Sequence, residues 1–383
     1  MKILHILPPT NIGPIDKKLH TAGMIHSVWL LDKFLTKRGY ESYVAWSKNS
    51  KICGRLIPII NNLTVDRIRE PKKDFFTNYY EKIFDLVNDS DFDIIHNHMS
   101  RPLFYDKYRP NVLTLRLPFE YIKQVRERKR FMDSSIPYLT FTVALTKKQT
   151  DGYVKGGYQV DKIINNGIDI NEYQIGKGRR EFLLAIARIL PDKGQDVAIK
   201  VSRQTGLPLI IAGDIWDKKY FHEKVEPHID GKKIKYLGPV DFETKIKLYQ
   251  GAIALLVPVE WEEPFNLTMV EAMACGTPVI GYNHGAIAEV IKDGETGFVV
   301  SNVEEMTEAV KKISGINKNI CRDYVKDNFN IEKVIDGYEM IYKQVAERKK
   351  FHSFIYPLTK MGIASNKNLS WVGSYIRKNI INF

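Results

Sequence analysis

Cysteine is scarce in this chain. Only Cys53, Cys275 and Cys321 occur, far apart and odd in number. With no CxxC pair and no even set, a disulfide framework and a zinc-finger spacing are both excluded, and a reducing, cytoplasmic compartment is expected. Long apolar runs are missing too: no stretch reaches the roughly 18 residues of a membrane span. The opening run Met1 to Pro9 is broken by Pro8 and Pro9, too soon for a secretory signal. Pro8 to Gly13 contains no GxGxxG, so the dinucleotide cradle of a nicotinamide dehydrogenase is absent. No RNA-binding aromatic signature is present, which sets nucleic acid aside as a partner. There is no short-period repeat and no low-complexity tract.

What is present is an ordinary globular composition with a basic balance. The chain has 383 residues, 44% hydrophobic and 27% charged, with a formal net charge of +12. That length supports two domains with their own cores. A basic balance without nucleic-acid motifs points to phosphorylated small molecules or an anionic membrane surface. Apolar strand-like runs at Lys2 to Leu7, Tyr43 to Trp46, Asp91 to His96 and Val112 to Leu117 alternate with helical spacing, as at His26 to Lys37. The pattern restarts near residue 180 with Glu181 to Ile189, Pro208 to Asp214, Ile234 to Leu237, Ala252 to Val259 and Val279 to Tyr282. Such alternation predicts two α/β units with parallel sheets. The turn-rich Asn165-Asn166-Gly167-Ile168-Asp169 joins them, giving expected domains at 1–168 and 169–335 and a tail at 336–383. The tail mixes aromatic and basic residues, and Trp371, Val372, Tyr375, Ile376, Ile380 and Phe383 fit one helix face. That face is expected to pack back on the first domain, with peripheral attachment to the inner membrane face as the alternative.

The segment Glu263-Pro264-Phe265-Asn266-Leu267-Thr268-Met269-Val270-Glu271 sets two carboxylates eight residues apart. Pro264 suits the first helical position, Gly276 the helix end, and Pro278 blocks continuation. Free N–H groups of the first turn make an anion site, and Glu271 lies two turns further on near the same face. The arrangement offers a seat for a diphosphate flanked by carboxylates that accept neutral hydroxyl groups, a combination that a nucleotide sugar presents. Upstream, Arg188 and Lys193 flank Ile189-Leu190-Pro191-Asp192 after a strand. A loop after a parallel strand opens on the ligand side of its sheet. Two cations there neutralise a diphosphate without a metal and stabilise the charge that grows on a leaving group. Cys275, near the helix end, reads as a small buried side chain.

At this point a family resemblance is plain. Ala187-Arg188-Ile189-Leu190-Pro191-Asp192-Lys193-Gly194, Ile211-Ala212-Gly213-Asp214, Leu237-Gly238-Pro239-Val240, Glu262-Glu263-Pro264-Phe265, Glu271 to Ile280 and Gly294 to Phe298 together resemble the retaining glycosyltransferases of family 4. Asn166-Gly167-Ile168-Asp169 is similar to the linker of that family. The resemblance implies the GT-B fold: two Rossmann-like domains face each other across a cleft, with a C-terminal helix returning to the first. It implies that Arg188 and Lys193 hold the donor diphosphate, that Glu271 holds the ribose, and that Glu263 binds the donor sugar. Phe265, Asn266, Leu267, Thr268 and Gly23 complete the implied donor site. The donor is expected to be a UDP- or GDP-hexose, the acceptor a glycan or lipid-linked hydroxyl, with no cofactor and no metal. A nucleotide-sugar epimerase of the same fold and a non-catalytic sugar-nucleotide binder are the rival readings.

Three features depart from the pattern or extend it. Asn266 stands where the family usually has glycine, which adds a side chain near the sugar. Ala22-Gly23 replaces two adjacent glycines, and Arg116 stands in place of a histidine, where a cation suits an anionic acceptor or the donor phosphate. His98, Arg116 and His20 are the acceptor-side candidates, with His26 a weaker one. His96 and His98 point to one face of a strand, as cleft or packed residues or as a metal pair. Asp91 and Asp93 imitate a metal-binding DxD but precede their strand. Lys123, Arg126, Arg128, Lys129 and Arg130 read as a solvated helix face or as a surface for a phosphorylated or lipid-linked acceptor.

Overall fold

The computed structural model describes residues 1–9, 13–16, 23–61, 73–99, 110–124 and 140–360. The basic run from Arg126 to Arg130, His20, and Trp371 to Phe383 of the tail lie outside the described residues. Strands β1 (Lys2–Ile6), β2 (Glu41–Ser47), β3 (Arg55–Ile60), β4 (Ile94–Asn97), β5 (Asn111–Thr114), β6 (Thr140–Ala144) and β7 (Lys162–Ile163) form one sheet in the order β3-β2-β1-β4-β5-β6-β7. Strands β8 (Phe182–Ile186), β9 (Leu209–Ala212), β10 (Ile234–Tyr236), β11 (Ala252–Val257), β12 (Val279–Tyr282) and β13 (Gly297–Val300) form a second, in the order β10-β9-β8-β11-β12-β13. All pairings within them are parallel.

Continuous apolar runs explain this choice. Ile3, Leu4 and Ile6 of β1 and Leu183, Leu184 and Ala185 of β8 are all buried. A strand with no polar face must be covered on both sides, as in a parallel sheet flanked by helices. In each sheet the order reverses beside the first strand, between β1 and β4 and between β8 and β11. Connections leave those two strands in opposite directions, which opens a crevice beyond their carboxyl ends. Of the residues singled out by the sequence, Arg188, Lys193 and Glu263 lie at the second crevice and His96, His98 and Arg116 at the first.

The last described helix, Ile331–Lys360, belongs structurally to the first unit. Ile331, Val334, Ile335, Tyr338, Ile341, Tyr342 and Val345 join the core of the first sheet. Arg38, after the Gly23–Lys37 helix, reaches Glu332 at 2.5 Å, Asp336 at 2.7 Å and Glu339 at 3.1 Å. The return to the first unit begins at Ile331, inside the segment assigned to the second domain, because Ile331 and Val334 already pack against the first sheet. At the joint, Ile168 N–H donates to the Phe329 carbonyl and Ile331 N–H to the Ile168 carbonyl, each at 2.9 Å. Lys33 binds Asp169 at 2.9 Å and Glu172 at 3.0 Å from the other side.

Removing a buried anchor of this helix should loosen the first unit. Ile335→Ala is expected to cost about 2–5 kcal/mol, read as a lowered urea midpoint; an unchanged midpoint would contradict the packing.

Candidate active site

At the β8–β11 crevice the chain leaves β8 through Arg188 into a short turn, Pro191–Lys193, closed by Gly194 at φ +66°. A Cβ on Gly194 would lie 2.3 Å from the Pro258 carbonyl oxygen, so only glycine brings this turn against the β11 loop. The close approach delivers Lys193 to Glu263. Its Nζ donates to Glu263 Oε2 at 2.8 Å, and both side chains are about one-tenth exposed (9% and 11%). Trp261 Nε1 donates to the same oxygen at 2.9 Å, while its ring lies 4.5 Å beneath the Lys193 ammonium. One indole therefore orients both charges, through its N–H edge and its electron-rich face. Oε2 takes both bonds, and Oε1 has no hydrogen-bond partner among the described residues. Arg188 is exposed and stacks on Trp216, 4.5 Å from the ring centroid, and no contact joins it to Lys193. The expected cationic pair is thus a Lys193–Glu263 ion pair with a separate, solvent-facing Arg188.

Beyond Glu263 the helix begins later than its sequence suggests. It spans Leu267–Ala274, not Pro264 onward. Asn266 is the reason: it sits at φ +67°, the only non-glycine residue with positive φ among those described. Glycine favours that conformation, and asparagine is among the few side chains that tolerate it. The Asn266 side chain is tethered, its Oδ1 accepting from the Thr268 hydroxyl at 2.6 Å. Leu267 meets Gly23 across the two units, since a Cβ on Gly23 would lie 3.4 Å from Leu267 Cδ1. Phe265 departs from its expected donor role. It is 1% exposed and packs edge-on to Phe329 in the core of the second unit.

Glu271 also departs from expectation. It is 2% exposed. Its Oε1 accepts from Lys245 Nζ at 2.8 Å and Tyr173 Oη at 3.2 Å, and Oε2 from Tyr249 Oη at 2.8 Å. The carboxylate faces the helix Phe242–Gly251 and the linker, and a ribose would have to displace this buried network to reach it. Its charge also helps burial push the neighbouring Cys275 thiol up to about 12, so Cys275 is an inert core group. Sequence spacing located Glu271 correctly along the helix but missed Tyr173, Lys245 and Tyr249, whose separations in the chain carry no motif.

At the β1–β4 crevice His5, His96 and His98 are all fully buried. His5 lies opposite His96 in the ladder, a partnership that only the strand order reveals. Their possible ligand atoms lie within 4.8 Å of one another. The hydrogen bonds fix two tautomers. Arginine can only donate, so Arg116 Nη2, at 2.9 Å, finds a lone pair on His98 Nδ1. His98 then carries its proton on Nε2 and donates to His5 Nδ1 at 3.2 Å. The His5 proton is left on Nε2, a buried atom without a partner among the described residues. His96 binds Tyr342 Oη at 2.7 Å and Thr114 Oγ1 at 2.8 Å. A metal would need the lone pairs that these bonds consume, beside a guanidinium. The cluster therefore fits a neutral hydrogen-bonded relay and not a cation site. Arg116 also donates to Asn166 Oδ1 of the linker at 2.6 Å, which makes it a brace between β5 and the joint. His26 is buried and stacks on Trp29, 6.0 Å between centroids. Asp91 and Asp93 bind Lys2 at the opposite end of the sheet, through Nζ at 2.7 Å and the backbone N–H at 2.8 Å.

Comparisons with known proteins bear on the family and the fold. Residues 169–328 match the family profile described as glycosyl transferases group 1. An uncharacterized glycosyltransferase of Methanocaldococcus jannaschii is 24% identical over 299 residues, covering 71% of this chain and 81% of the relative. An uncharacterized 41.2 kDa protein in the cps region of Klebsiella pneumoniae is 26% identical over 294 residues, covering 66% and 79%. Among solved structures, sucrose-phosphate synthase from Thermosynechococcus elongatus superposes with a TM-score of 0.72 at 16% identity, covering 90% of this chain and 99% of that one. Anabaena HepE in complex with UDP and glucose gives 0.67 at 16% identity, covering 89% and 98%. The architecture is the GT-B fold of glycosyltransferases. Its second domain carries the group 1 glycosyltransferase match.

Two outcomes follow from the buried groups. Glu271→Ala strands the Lys245 ammonium and should cost about 3–5 kcal/mol of stability, with the affinity of folded protein for nucleotide unchanged; an unaltered melting temperature would contradict the network. The histidine cluster makes stability acid-sensitive. Burial, aided by the Arg116 charge, pushes His5 down to about 3 and holds His96 and His98 well below 6.5. Between pH 6.5 and 3 the unfolded chain binds protons that the folded one refuses, so stability falls as pH falls through that window. Each such group contributes about 1.4 kcal/mol per pH unit. Urea midpoints at pH 7 and 5.5 test this; equal midpoints would contradict neutral, desolvated imidazoles.

Proposed function

We propose that this chain is a retaining hexosyltransferase. It moves a sugar from a UDP- or GDP-hexose to a hydroxyl of a glycan or lipid-linked acceptor. The observation that carries the reading is the Lys193–Glu263–Trp261 set beyond the carboxyl ends of β8 and β11. Lys193 is nearly desolvated and braced, so its charge acts at high strength on a leaving diphosphate. Glu263 keeps Oε1 for a sugar hydroxyl while Oε2 stays tied to Lys193 and Trp261. Arg188, exposed on the same loop, is free to swing onto the nucleotide phosphates. The second-domain family match and the UDP and glucose bound to the Anabaena neighbour support the donor class. The acceptor is taken on the first-domain side, near the crevice braced by Arg116 and His98. Attack comes from the face that the leaving group departs, with a phosphate oxygen removing the acceptor proton. Lys193, fixed against Glu263, and Arg188, swung in from Trp216, take the charge-stabilising role that a metal fills elsewhere.

Thermal-shift screening against UDP- and GDP-linked hexoses tests the donor class. One of them should raise the melting temperature, as any ligand specific to the folded state does. With that donor, Lys193→Ala should cut turnover of the folded protein about 10²–10³-fold and lower its melting temperature, because Glu263 keeps only Trp261 as a partner, and NMR of the product should show the donor's anomeric configuration. No stabilising nucleotide sugar, or an inverted anomer, would overturn the proposal.

A further inference from the structure

The end of β6 does not stop at the first domain. Leu145, just past β6, is 3% exposed and packs in the core cluster of the second domain. Thr146 caps the helix Lys147–Lys155 and also donates its hydroxyl to the Pro264 carbonyl at 3.3 Å, on the loop that carries Glu263. The next two backbone N–H groups, of Lys147 and Lys148, donate to the two carboxylate oxygens of Glu289 at 2.8 and 2.6 Å. These are first-turn donors that have no partner within their own helix, and the positive end of the helix favours a carboxylate there.

Glu289 sits on the short helix Ile287–Val290. The turn before it is pressed against the back of Glu263. Ala286 N–H donates to the Glu263 carbonyl at 2.8 Å, and a Cβ on Gly285, at φ +59°, would lie 2.3 Å from both the backbone N and O of Glu263. One end of a first-domain helix therefore grips the Glu263 loop directly, through Thr146, and grips the turn behind it, through Glu289.

We infer that Glu289 is a positioning residue: its bond across the cleft to the amino end of the Lys147 helix sets the Glu263 loop, so that the donor-sugar carboxylate is aligned only when the two domains meet. The inference rests on the role proposed for Glu263. Glu289 touches no substrate in this scheme; it couples domain approach to the geometry of the group that does.

The contact can be broken from either side. Glu289→Ala removes the acceptor. Lys147→Pro removes one donor while keeping the helix, because proline is favoured at the first helical position and Thr146 before it is already extended at φ −150°, ψ 164°. Hydrogen exchange of full-length protein should show faster exchange in both variants for the peptides holding 145–149 and 263–290, while the first-sheet core keeps wild-type protection. Hydrolysis of UDP-glucose or GDP-mannose, whichever the wild type accepts, should slow about ten-fold in each variant, with the affinity for UDP or GDP within about two-fold of wild type. The double variant should be no worse than the poorer single one, since both cut the same link. Wild-type exchange and turnover in a folded Lys147→Pro protein would overturn the inference, as would loss of nucleotide affinity in step with turnover. A wild type that binds and hydrolyses none of the UDP- and GDP-hexoses of the screen would instead defeat the proposed function, while the exchange data would still read the link between the domains.

Discussion

An ammonium and a carboxylate held together at 2.8 Å with little solvent around them constrain everything else on the ligand side of the second domain. Neither charge tolerates burial alone, and together they need further hydrogen bonds to remain in place. Gly194 exists to bring the lysine turn in, and Trp261 to hold both partners at once. Gly285 presses its turn against the backbone of Glu263 from behind. The αL residue Asn266 then turns the chain into the helix Leu267–Ala274. The site is built mainly from loop backbone positioned by two rigid strands.

The first domain answers with a different chemistry. Its crevice is lined by imidazoles kept neutral by burial and locked into tautomers by one guanidinium. A chain of donors running Arg116 to His98 to His5 stiffens the carboxyl ends of β1, β4 and β5 together. The same arginine holds Asn166 in the linker, and Lys33 holds Asp169 and Glu172 a few residues on. The crevice of the first domain and the joint thus share their supports, whereas the crevice of the second domain has its own.

Much of this architecture was legible in the amino-acid order. Parallel strands covered on both faces appear as unbroken apolar runs, so β1, β4, β8, β9, β11 and β12 could be placed before their neighbours were known. The placement of Arg188, Lys193 and Glu263 in the loops past β8 and β11 was legible as well, because such loops open beyond the carboxyl ends of a parallel sheet whatever their contacts. Orientation was not legible. Glu271 and Phe265 turn toward Tyr173, Lys245, Tyr249 and Phe329, and nothing local to the Glu263 segment records where those partners lie. The pairing of Arg188 with Lys193 failed for a related reason: Trp216 and Trp261 each claim one cation. Asn266 was visible as a departure from glycine, but its left-handed backbone, which delays the helix, depended on the loop around it. His5 was silent until strand order put it opposite His96.

The return of the Ile331–Lys360 helix to the first domain means that the polypeptide crosses between the two bodies twice, side by side, where Ile168 bridges Asn330. A double crossing behaves as a flat hinge: it bends readily about one axis and resists twisting. The two halves also cannot be separated by cutting one connection, because the other still tethers them. The gene for the second domain alone would encode a body bearing its neighbour's missing wall, so this chain does not divide into independently expressed modules at the joint where its sequence changes pattern.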